Sequence, residues 1–418
     1  MTDVKPALGM HAFPLDGCAL LLSEPRQELH VLNEAGAHLW HLLEEGRSRV
    51  AIRHALGRTL GLTDRAAGVL LRETLGAWTA QGLVAPESSL GRRAEASPPP
   101  VDAAVVPTAA ARVRTETAKI AVTHCYRLLD TRFRINFATR DLAEAVHPAL
   151  AHLALQAGET AEGTEVIRLD IVPQEGCILL RSGDETWNTC SGIESLAPLV
   201  KGEVWAKAVN RQGGALLGLH AGVVTTPDGA VLLPGASGSG KSTLTAQLVQ
   251  AGFTYYSDEL ALLRNDDLQV LPVPLAFCVK QSGVAALAPH YPELAEQPRF
   301  HLRADGKRVT YVAPPPARLP QPGEASPVRV VIFPQHAAQA EEARLERLTP
   351  LTALQRLLSE CLVVGMRLDA ARVGALVRWI NAVPCFALRY AASAQALDGV
   401  RQVLAQVPPA EHGPEARR

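Results

Sequence analysis

The chain has 418 residues, of which 47% are apolar, and a formal net charge of −1. This length favours two or three domains with packed cores, and the near-zero charge argues against nucleic acid or an anionic membrane surface as a partner. Seven dispersed cysteines without a C-x-x-C motif, no secretory signal pattern and no long apolar run predict a cytoplasmic protein with reduced thiols and no membrane partner.

Residues 1–90 are predicted to form a small winged-helix domain. Two strands are expected at residues 18–22 and 28–32, and Asn33 then caps a helix that ends at Gly46. Further helices are expected at about 48–60 and 65–81, and residues 82–84 lead into a closing strand. The side chains expected to face inward are Ala37, Leu39, Trp40, Leu42, Leu43, Val50, Ile52, Ala55, Leu56, Leu60, Val69, Leu70, Leu71, Leu75 and Trp78.

The charge of this domain does not suit DNA binding, although winged helices often have that role. Residues 1–90 carry ten acidic and eight basic side chains, whereas a duplex-binding domain needs an excess of positive charge. A peptide-binding role and a role in dimerisation or packing both remain open from composition alone.

Two segments of this domain resemble the PqqD family, whose members recognise precursor peptides in ribosomal peptide natural-product pathways. The segments are residues 31–43 (VLNEAGAHLWHLL) and 78–84 (WTAQGLV), within a resemblance that spans about residues 10–86. The resemblance implies that a leader peptide adds as a strand to the hairpin and packs against the third helix. The peptide-binding residues that it implies are Leu29, His30, Val31 and Leu32.

Residues 91–111 are rich in proline and alanine, which predicts an extended linker and not a folded element. The linker separates the first domain from a larger domain over residues 112–407. Residues 408–418 are predicted to be a disordered tail.

The larger domain contains the sequence GASGSGKS at residues 235–242, which fits the phosphate-binding loop pattern G-x-x-x-x-G-K-[ST]. An apolar strand at residues 230–234 precedes the loop and a helix at residues 243–252 follows it, as the motif requires. We therefore expect ATP and Mg²⁺ to bind here, with Lys241 on the terminal phosphates and the Ser242 hydroxyl on the metal. The predicted nucleotide-binding residues are Gly235, Ser237, Gly238, Ser239, Gly240, Lys241, Ser242 and Thr243.

Strands are also predicted at residues 167–171, 176–180, 216–224, 252–263 and 328–333. The strand at 328–333 ends without an acidic residue, so Asp258 and Glu259, inside the strand at 252–263, are the natural acidic partners of the loop. Adjacent strand residues point to opposite faces unless a bulge intervenes. We therefore expect Asp258 to act as the general base, and Glu259 to contact magnesium through water or to serve as a structural partner.

Three features together resemble the HPr kinase/phosphorylase family and its serine-kinase relatives. They are His220-Ala221-Gly222, the phosphate-binding loop, and the acidic pair sixteen residues beyond Ser242. The resemblance covers about residues 113–405. It implies a P-loop kinase domain in which Asp258 is the general base, His220 pairs with it, and Lys241 and Ser242 contact phosphate and metal.

The chain departs from that family in two ways. Glu259 stands where a second aspartate is usual, and the downstream signature is reduced to Pro272-Val273-Pro274 and Lys280. HPr as the substrate and the reverse phosphorylase reaction therefore lie outside what the resemblance implies. His220 has an alternative reading as a satisfied histidine at a strand end.

The fold class expected is thus α/β, with an HPr kinase-like P-loop domain and an N-terminal winged-helix, PqqD-like domain. The leading functional hypothesis is an ATP-dependent kinase that phosphorylates a Ser or Thr of a precursor peptide whose leader is held by the N-terminal domain. The alternatives are a non-catalytic, nucleotide-dependent peptide chaperone and a kinase of free serine or a sugar. Homo-oligomerisation is left open, as is a clamping role for Lys280, Arg303, Lys307 and Arg308.

Overall fold

The computed structural model describes residues 4–86, 119–155, 166–183, 185–302 and 307–410. The described chain is mixed α/β. Its helices are α1 (Glu34–Glu44), α2 (Arg49–Leu60), α3 (Asp64–Ala80), α4 (Arg140–Leu150), α5 (Leu196–Arg211), α6 (Lys241–Gln250), α7 (Gln281–Leu287), α8 (Pro350–Ser359), α9 (Ala370–Ala382) and α10 (Ser393–Gln406). None of the helices described is long and apolar enough to span a membrane.

Strands are distributed over several sheets. They are β1 (Val4–Pro6), β2 (Met10–Leu15), β3 (Cys18–Ser23), β4 (Glu28–Leu32), β5 (Val84–Pro86), β6 (Val122–Leu128), β7 (Thr131–Phe137), β8 (Val166–Gln174), β9 (Cys177–Ser182), β10 (Glu185–Cys190), β11 (Ala215–Leu219), β12 (Ala221–Thr226), β13 (Gly229–Pro234), β14 (Thr254–Ser257), β15 (Ala261–Arg264), β16 (Val270–Leu271), β17 (Phe277–Lys280), β18 (Arg299–His301), β19 (Arg308–Val312), β20 (Val328–His336), β21 (Arg344–Arg347), β22 (Cys361–Val364) and β23 (Cys385–Tyr390).

The chain divides into two compact units. The first comprises Met1–Val106, Thr349–Leu354 and Arg367–Ala382, and the second comprises Pro107–Leu348, Gln355–Met366 and Val383–Arg418. The predicted division at residues 1–90 and 112–407 did not include the two C-terminal segments of the first unit. The predicted linker lies entirely outside the described residues, and so do residues 411–418 of the predicted tail.

The first unit contains the three helices expected from the sequence. Each is capped as its first residues suggest, because the side chains of Asn33, Ser48 and Thr63 accept hydrogen bonds from backbone N–H groups in the first turn. The helices cover an antiparallel sheet of order β2-β3-β4, and β1 pairs with β5. Trp40 and Trp78 meet edge to face in the core, with ring centroids 5.5 Å apart.

Two expectations for the first unit were wrong. Strands β1 and β2 were not predicted. Because β2 pairs with β3, the sheet has three strands where a two-stranded hairpin was expected. Val50, Leu60 and Val69 were expected to face inward but are exposed. These side chains lie on the outward faces of α2 and α3, whose buried faces are filled by residues such as Ile52, Leu56, Leu71 and Leu75.

Helix α9 belongs to the first unit although its sequence lies near the C-terminal end of the chain. The amide side chain of Gln27 both donates to the carbonyl oxygen of Leu368 (2.8 Å) and accepts from its N–H (2.7 Å). A Cβ atom at Gly374 would lie 3.3 Å from the Phe13 ring, so the glycine allows α9 to approach β2 closely. Asp16 also accepts a hydrogen bond from the Leu351 N–H at 2.7 Å.

The second unit is built around three larger sheets. One has the order β10-β9-β8-β7-β6 and packs against α4 and α5. The other two have the orders β16-β15-β11-β22 and β14-β12-β13-β20-β23-β21. In the six-stranded sheet, β13, β20 and β23 run parallel, and α6 and α10 pack against it.

The chain crosses twice between the four-stranded and six-stranded sheets. The strand predicted at residues 216–224 is divided into β11 and β12, which belong to different sheets, with His220 between them. The strand predicted at residues 252–263 is likewise divided into β14 and β15, with Asp258 and Glu259 between them. Since β11 pairs with β15 and β12 pairs with β14, the two crossings lie side by side.

Candidate functional sites

The glycine-rich loop joins β13 to α6. Gly238 and Gly240 have φ angles of 94° and 93°, values that favour glycine. Gly240 is the N-cap of α6, which therefore begins at Lys241. Unpaired N–H groups at a helix start, together with the helix dipole, bind anionic groups such as phosphates.

The Lys241 side chain is only 5% exposed and turns back onto the loop. Its ammonium group donates to the carbonyl oxygens of Gly235 and Ala236, the latter at 3.2 Å. Burial lowers the pKa of Lys241, and the negative charges of Asp258 and Glu360 offset this only in part. The lysine is thus held inside the loop, where phosphate oxygens could replace the carbonyl oxygens as its partners.

The loop is supported from the ends of two parallel strands. His336, at the end of β20, donates its N–H to the carbonyl oxygen of Ser239 at 3.1 Å. Tyr390, at the end of β23, lies against Gly240 so closely that a Cβ atom there would overlap its hydroxyl. Ligands of open α/β sheets bind beyond the carboxyl ends of such strands, and the loop lies at that edge.

In the His220-Ala221-Gly222 motif, the third position requires glycine because α6 packs closely against it. A Cβ atom at this position would overlap the Thr245 hydroxyl on α6. Thr245 is fully buried, and its hydroxyl has no hydrogen-bond partner among the described groups. The glycine therefore lets α6 pack directly on β12, which sets the height of the loop above the sheet.

Asp258 lies in the second crossing and is 1% exposed. Its Oδ2 accepts a hydrogen bond from the Cys278 N–H at 3.0 Å, whereas Oδ1 is buried without a hydrogen-bond partner among the described groups. Burial, followed by the negative charge of Glu259, raises the pKa of Asp258 to about 6, and the Cys278 N–H, Lys201 and Ser242 oppose the rise. A carboxyl group in this state can accept a proton near neutral pH.

Glu259 has a different environment from its neighbour. Its Oε2 lies 2.6 Å from Nζ of Lys201 on α5, and the two side chains are 34% and 3% exposed. Burial would raise the pKa of Glu259, but the charge and hydrogen bond of Lys201 outweigh that effect and lower it. Burial would similarly lower the pKa of Lys201, which Glu259 raises. The Lys201 and Glu259 side chains are therefore both charged.

His220 lies in the first crossing and borders the same space. The backbone N–H of His220 donates to the carbonyl oxygen of Glu360 at 2.7 Å. The ring Nδ1 is 3.4 Å from the Glu360 carboxylate. Burial, followed by the charge of Lys241, lowers the pKa of His220 to about 4. The imidazole is therefore neutral at physiological pH, and its contact with Glu360 is not an ion pair under those conditions.

These side chains meet at one cavity of about 270 Å³, which is lined by His220, Ser237, Gly238, Gly240, Lys241, Ser242, Thr243, Asp258, Glu259, Cys278, Val279, Lys280, Ser282, Gly283, Leu287 and Leu302. Both carboxylate residues border it, because they lie at a chain crossing. The alternation that was expected to separate them applies only within a strand.

The four basic residues considered for a clamp on phosphates or peptide lie in different places. Lys280 lines the cavity and contacts the Ser237 hydroxyl. Lys307 and Arg308 are exposed and are not among the residues that line it, whereas Arg303 lies outside the described residues. Lys280 is thus the clamp candidate that the geometry favours.

The cavity contains oxygen donor atoms of the kind that bind a magnesium ion. Mg²⁺ binds through few protein oxygens and keeps water or phosphate oxygens as its remaining ligands. The Ser242 hydroxyl and the Glu259 carboxylate both line the cavity and are oxygen donors of this kind. Within the described part of the chain, His, Cys, Asp and Glu side chains form no group of three that could hold a metal by themselves.

A separate cleft lies in the first unit, between β4 and α3. Its volume is about 350 Å³, and it is lined by Val31, Leu32, Asn33, Ala35, Gly36, Leu39, Leu56, Leu70, Thr74 and Trp78. Strand β4 is at the edge of its sheet. Of the four peptide-binding residues implied by the sequence, all lie on β4, and two of them, Val31 and Leu32, line the cleft.

Several residues at or beside this cavity were missed from the sequence. Lys201 is the most important, because it lies on a helix distant in sequence from Glu259 and belongs to no motif. The backbone N–H of Cys278 and the side chain of Glu360 were missed for the same reason. A lysine on an otherwise apolar helix face was the only available signal for Lys201.

No protein-family model and no curated protein matches this chain. Among solved structures, it is similar to one described as TbiB1 in complex with the TbiA(beta) leader peptide. That similarity has 24% sequence identity and a TM-score of 0.19, and it covers 19% of this chain and 93% of the other.

Proposed function

We propose that this protein is an ATP-dependent kinase that phosphorylates a Ser or Thr hydroxyl of a peptide held by its N-terminal unit. One observation carries the proposal: Lys241 and Ser242 of a phosphate-binding loop share a cavity with Asp258, a buried carboxyl group whose pKa is about 6. Phosphoryl transfer requires positioned phosphates, neutralised charge and a group that receives the acceptor proton.

The loop supplies the nucleotide-binding part of this mechanism. The N–H groups at the start of α6 and the Lys241 ammonium group bind the β- and γ-phosphates of ATP. Lys280, which lines the same cavity, adds a second positive charge. Ser242 would hold Mg²⁺, with Glu259 in contact with the ion through water, and the ion would neutralise charge on the phosphates.

Asp258 supplies the proton-accepting part. The acceptor oxygen forms a bond to the γ-phosphorus while the bond from that phosphorus to the β,γ-bridging oxygen breaks. The hydroxyl proton moves to Asp258, and ADP and the phosphorylated peptide are the products. Lys201 keeps Glu259 in place beside this reaction, and the neutral imidazole of His220 lines the same cavity.

The N-terminal unit supplies the peptide-binding part. An extended leader segment adds to the open edge of β4, where main-chain hydrogen bonds give affinity without requiring charge. Its apolar side chains enter the cleft beside Val31, Leu70 and Trp78. This mode of binding agrees with the nearly balanced charge of residues 1–90.

The test uses the purified 418-residue chain, ATP, Mg²⁺ and, as the precursor peptide, each short peptide encoded by the genes next to its own. We expect the peptide to gain the mass of one phosphate with the wild type and with Val50→Asp, an exposed α2 position outside the cleft. Val31→Asp should raise the KM for the peptide and leave ATP affinity unchanged. A peptide that binds the wild type but never gains phosphate would contradict the kinase proposal.

The same experiment separates the two alternatives. A nucleotide-dependent peptide chaperone would bind peptide and ATP without forming ADP or phosphopeptide. A kinase of free serine or a sugar would form ADP when given the small molecule, and Val31→Asp would not alter its rate.

A further inference from the structure

A second cavity adjoins the nucleotide cavity. It has a volume of about 200 Å³ and is lined by Trp205, His220, Glu259, Leu260, Leu275 and Leu362. Two of these residues, His220 and Glu259, also line the nucleotide cavity. The other four are apolar, so the second cavity has a polar side next to the phosphates and an apolar remainder.

The apolar wall is formed by two local features. Trp205 follows Lys201 by one turn on α5, so the face of α5 that holds Glu259 also supplies an aromatic side chain. Leu362 is the extra residue of a β-bulge, because Leu219 pairs with Cys361 while Gly218 pairs with Val363. Bulges commonly redirect a side chain next to an active site.

Leu362 is also unusually accessible for an apolar residue. Strand β22 is at the edge of its sheet, and Leu362 is 54% exposed. Gly218 allows β22 to pack closely on β11, since a Cβ atom there would lie 3.0 Å from Leu260 and 3.2 Å from Val363. Strand β22 therefore packs closely against β11, while the Leu362 side chain remains accessible to a bound molecule.

We propose that this second cavity is the acceptor subsite and that it receives an apolar side chain next to the phosphorylated Ser or Thr of a peptide. This inference rests on the proposed kinase function. The occupant must bring a hydroxyl to the border formed by His220 and Glu259 while placing apolar surface against Trp205 and Leu362. An extended peptide does both when the apolar residue lies within about two positions of the acceptor, because each residue spans about 3.3 Å.

The test uses a library of synthetic peptides with one central serine and either Leu or Asp at each of the two positions on both sides. With wild-type protein and ATP–Mg²⁺, we expect kcat/KM to be about tenfold or more higher for Leu at one of these positions, as burial of a leucine side chain implies. The effect should lie in KM more than in kcat.

Protein variants provide the second arm. Leu362→Lys should abolish the preference for Leu and favour Asp at the same position, whereas Val364→Lys should keep the wild-type preference. Val364 is a matched control, because it lies on the same strand, is also 54% exposed and does not line the cavity. Nucleotide affinity and thermal unfolding of both variants establish that they are folded.

The outcomes separate this inference from the proposed function. The acceptor subsite alone would be overturned by either of two results. In the first, peptides are phosphorylated with no preference for Leu or Asp at any of the four positions; in the second, Leu362→Lys leaves the preference for Leu unchanged. No phosphate on any peptide, together with none on the precursor peptide, would overturn both.

Discussion

Nζ of Lys201 lies 2.6 Å from Oε2 of Glu259, and this contact distinguishes two adjacent carboxylates. Lys201 neutralises Glu259, whereas Asp258 keeps a buried oxygen without a hydrogen-bond partner among the described groups. The pKa of Glu259 is lowered and that of Asp258 is raised to about 6. Neighbouring acids with pKa values moved in opposite directions commonly have different chemical roles.

Removing Glu259 or Lys201 from their ion pair should destabilise the protein by different amounts. Glu259→Gln removes the ion-pair partner of the 3%-exposed Lys201 side chain, which should cost about 3 kcal/mol of unfolding free energy. Lys201→Met should cost less, because the Glu259 side chain is 34% exposed and retains water. The double variant should be more stable than Glu259→Gln in urea unfolding. Strictly additive losses would show that the two side chains do not interact.

Asp258→Asn should lower kcat by about 10²–10⁴-fold, the usual contribution of a positioned general base. Nucleotide affinity should change little, since Lys241 and the loop N–H groups provide it. In the wild type, kcat/KM should fall as the pH drops below about 6, because protonation of Asp258 removes the base. A pH–rate profile of both proteins checks this, and a variant that retains the wild-type fall below pH 6 would assign it to another group.

The same substitution should stabilise the folded protein at neutral pH. Folding raises the pKa of Asp258 from 3.8 to about 6, so its stabilising contribution is complete below pH 3.8 and is lost as the pH rises through 6. Asn carries no charge, and Asp258→Asn should therefore be more stable by up to about 3 kcal/mol at pH 8 and by less at pH 5. Urea unfolding at the two pH values measures the difference. The exposed Asp398→Asn serves as control, and an equal gain at both pH values would argue against a buried charge.

The roles of base and metal partner can be separated by titrating magnesium at saturating ATP. Glu259→Gln should raise the magnesium concentration for half-maximal rate if Glu259 supports the ion through water. Asp258→Asn should stay slow at every magnesium concentration. Rescue of Asp258→Asn by excess magnesium, without rescue of Glu259→Gln, would mean that the two roles are reversed.

Lys241→Ala should remove phosphoryl transfer and leave the affinity for the leader peptide almost unchanged. Lys241 lies in the loop, and the cleft beside Val31 and Trp78 has a separate set of lining residues. Isothermal titration with peptide and a phosphopeptide assay measure the two activities. Lys207→Ala, which removes a lysine that lies 4.2 Å from the Trp187 ring centroid, is the matched control. An equal loss of both activities in Lys241→Ala would show that one site serves both.

Local sequence signals predicted local structure well. Asn33 caps α1 as predicted, and the glycine-rich loop lies between a strand and a helix as its pattern requires. Both kinds of signal act within a few residues, so the sequence alone is sufficient for them.

Signals that depend on distant partners were missed. Residues 216–224 are apolar except for His220, and this pattern does not reveal that the chain changes sheets at that residue. The partner of Glu259 is on α5, and only the packing of that helix brings Lys201 to it. The predicted separation of Asp258 and Glu259 onto opposite faces failed because it assumed a continuous strand.

The placement of α9 means that the first unit, which is proposed to bind peptide, is not contiguous in the gene. A fragment ending at residue 106 would lose the Leu368 backbone that Gln27 binds and the glycine surface that faces Phe13. Under the proposed function, exchange of this unit for one of different peptide specificity would therefore also require a matching replacement of residues 367–382. Point substitutions in the cleft avoid that requirement, because they leave the contacts with residues 367–382 in place.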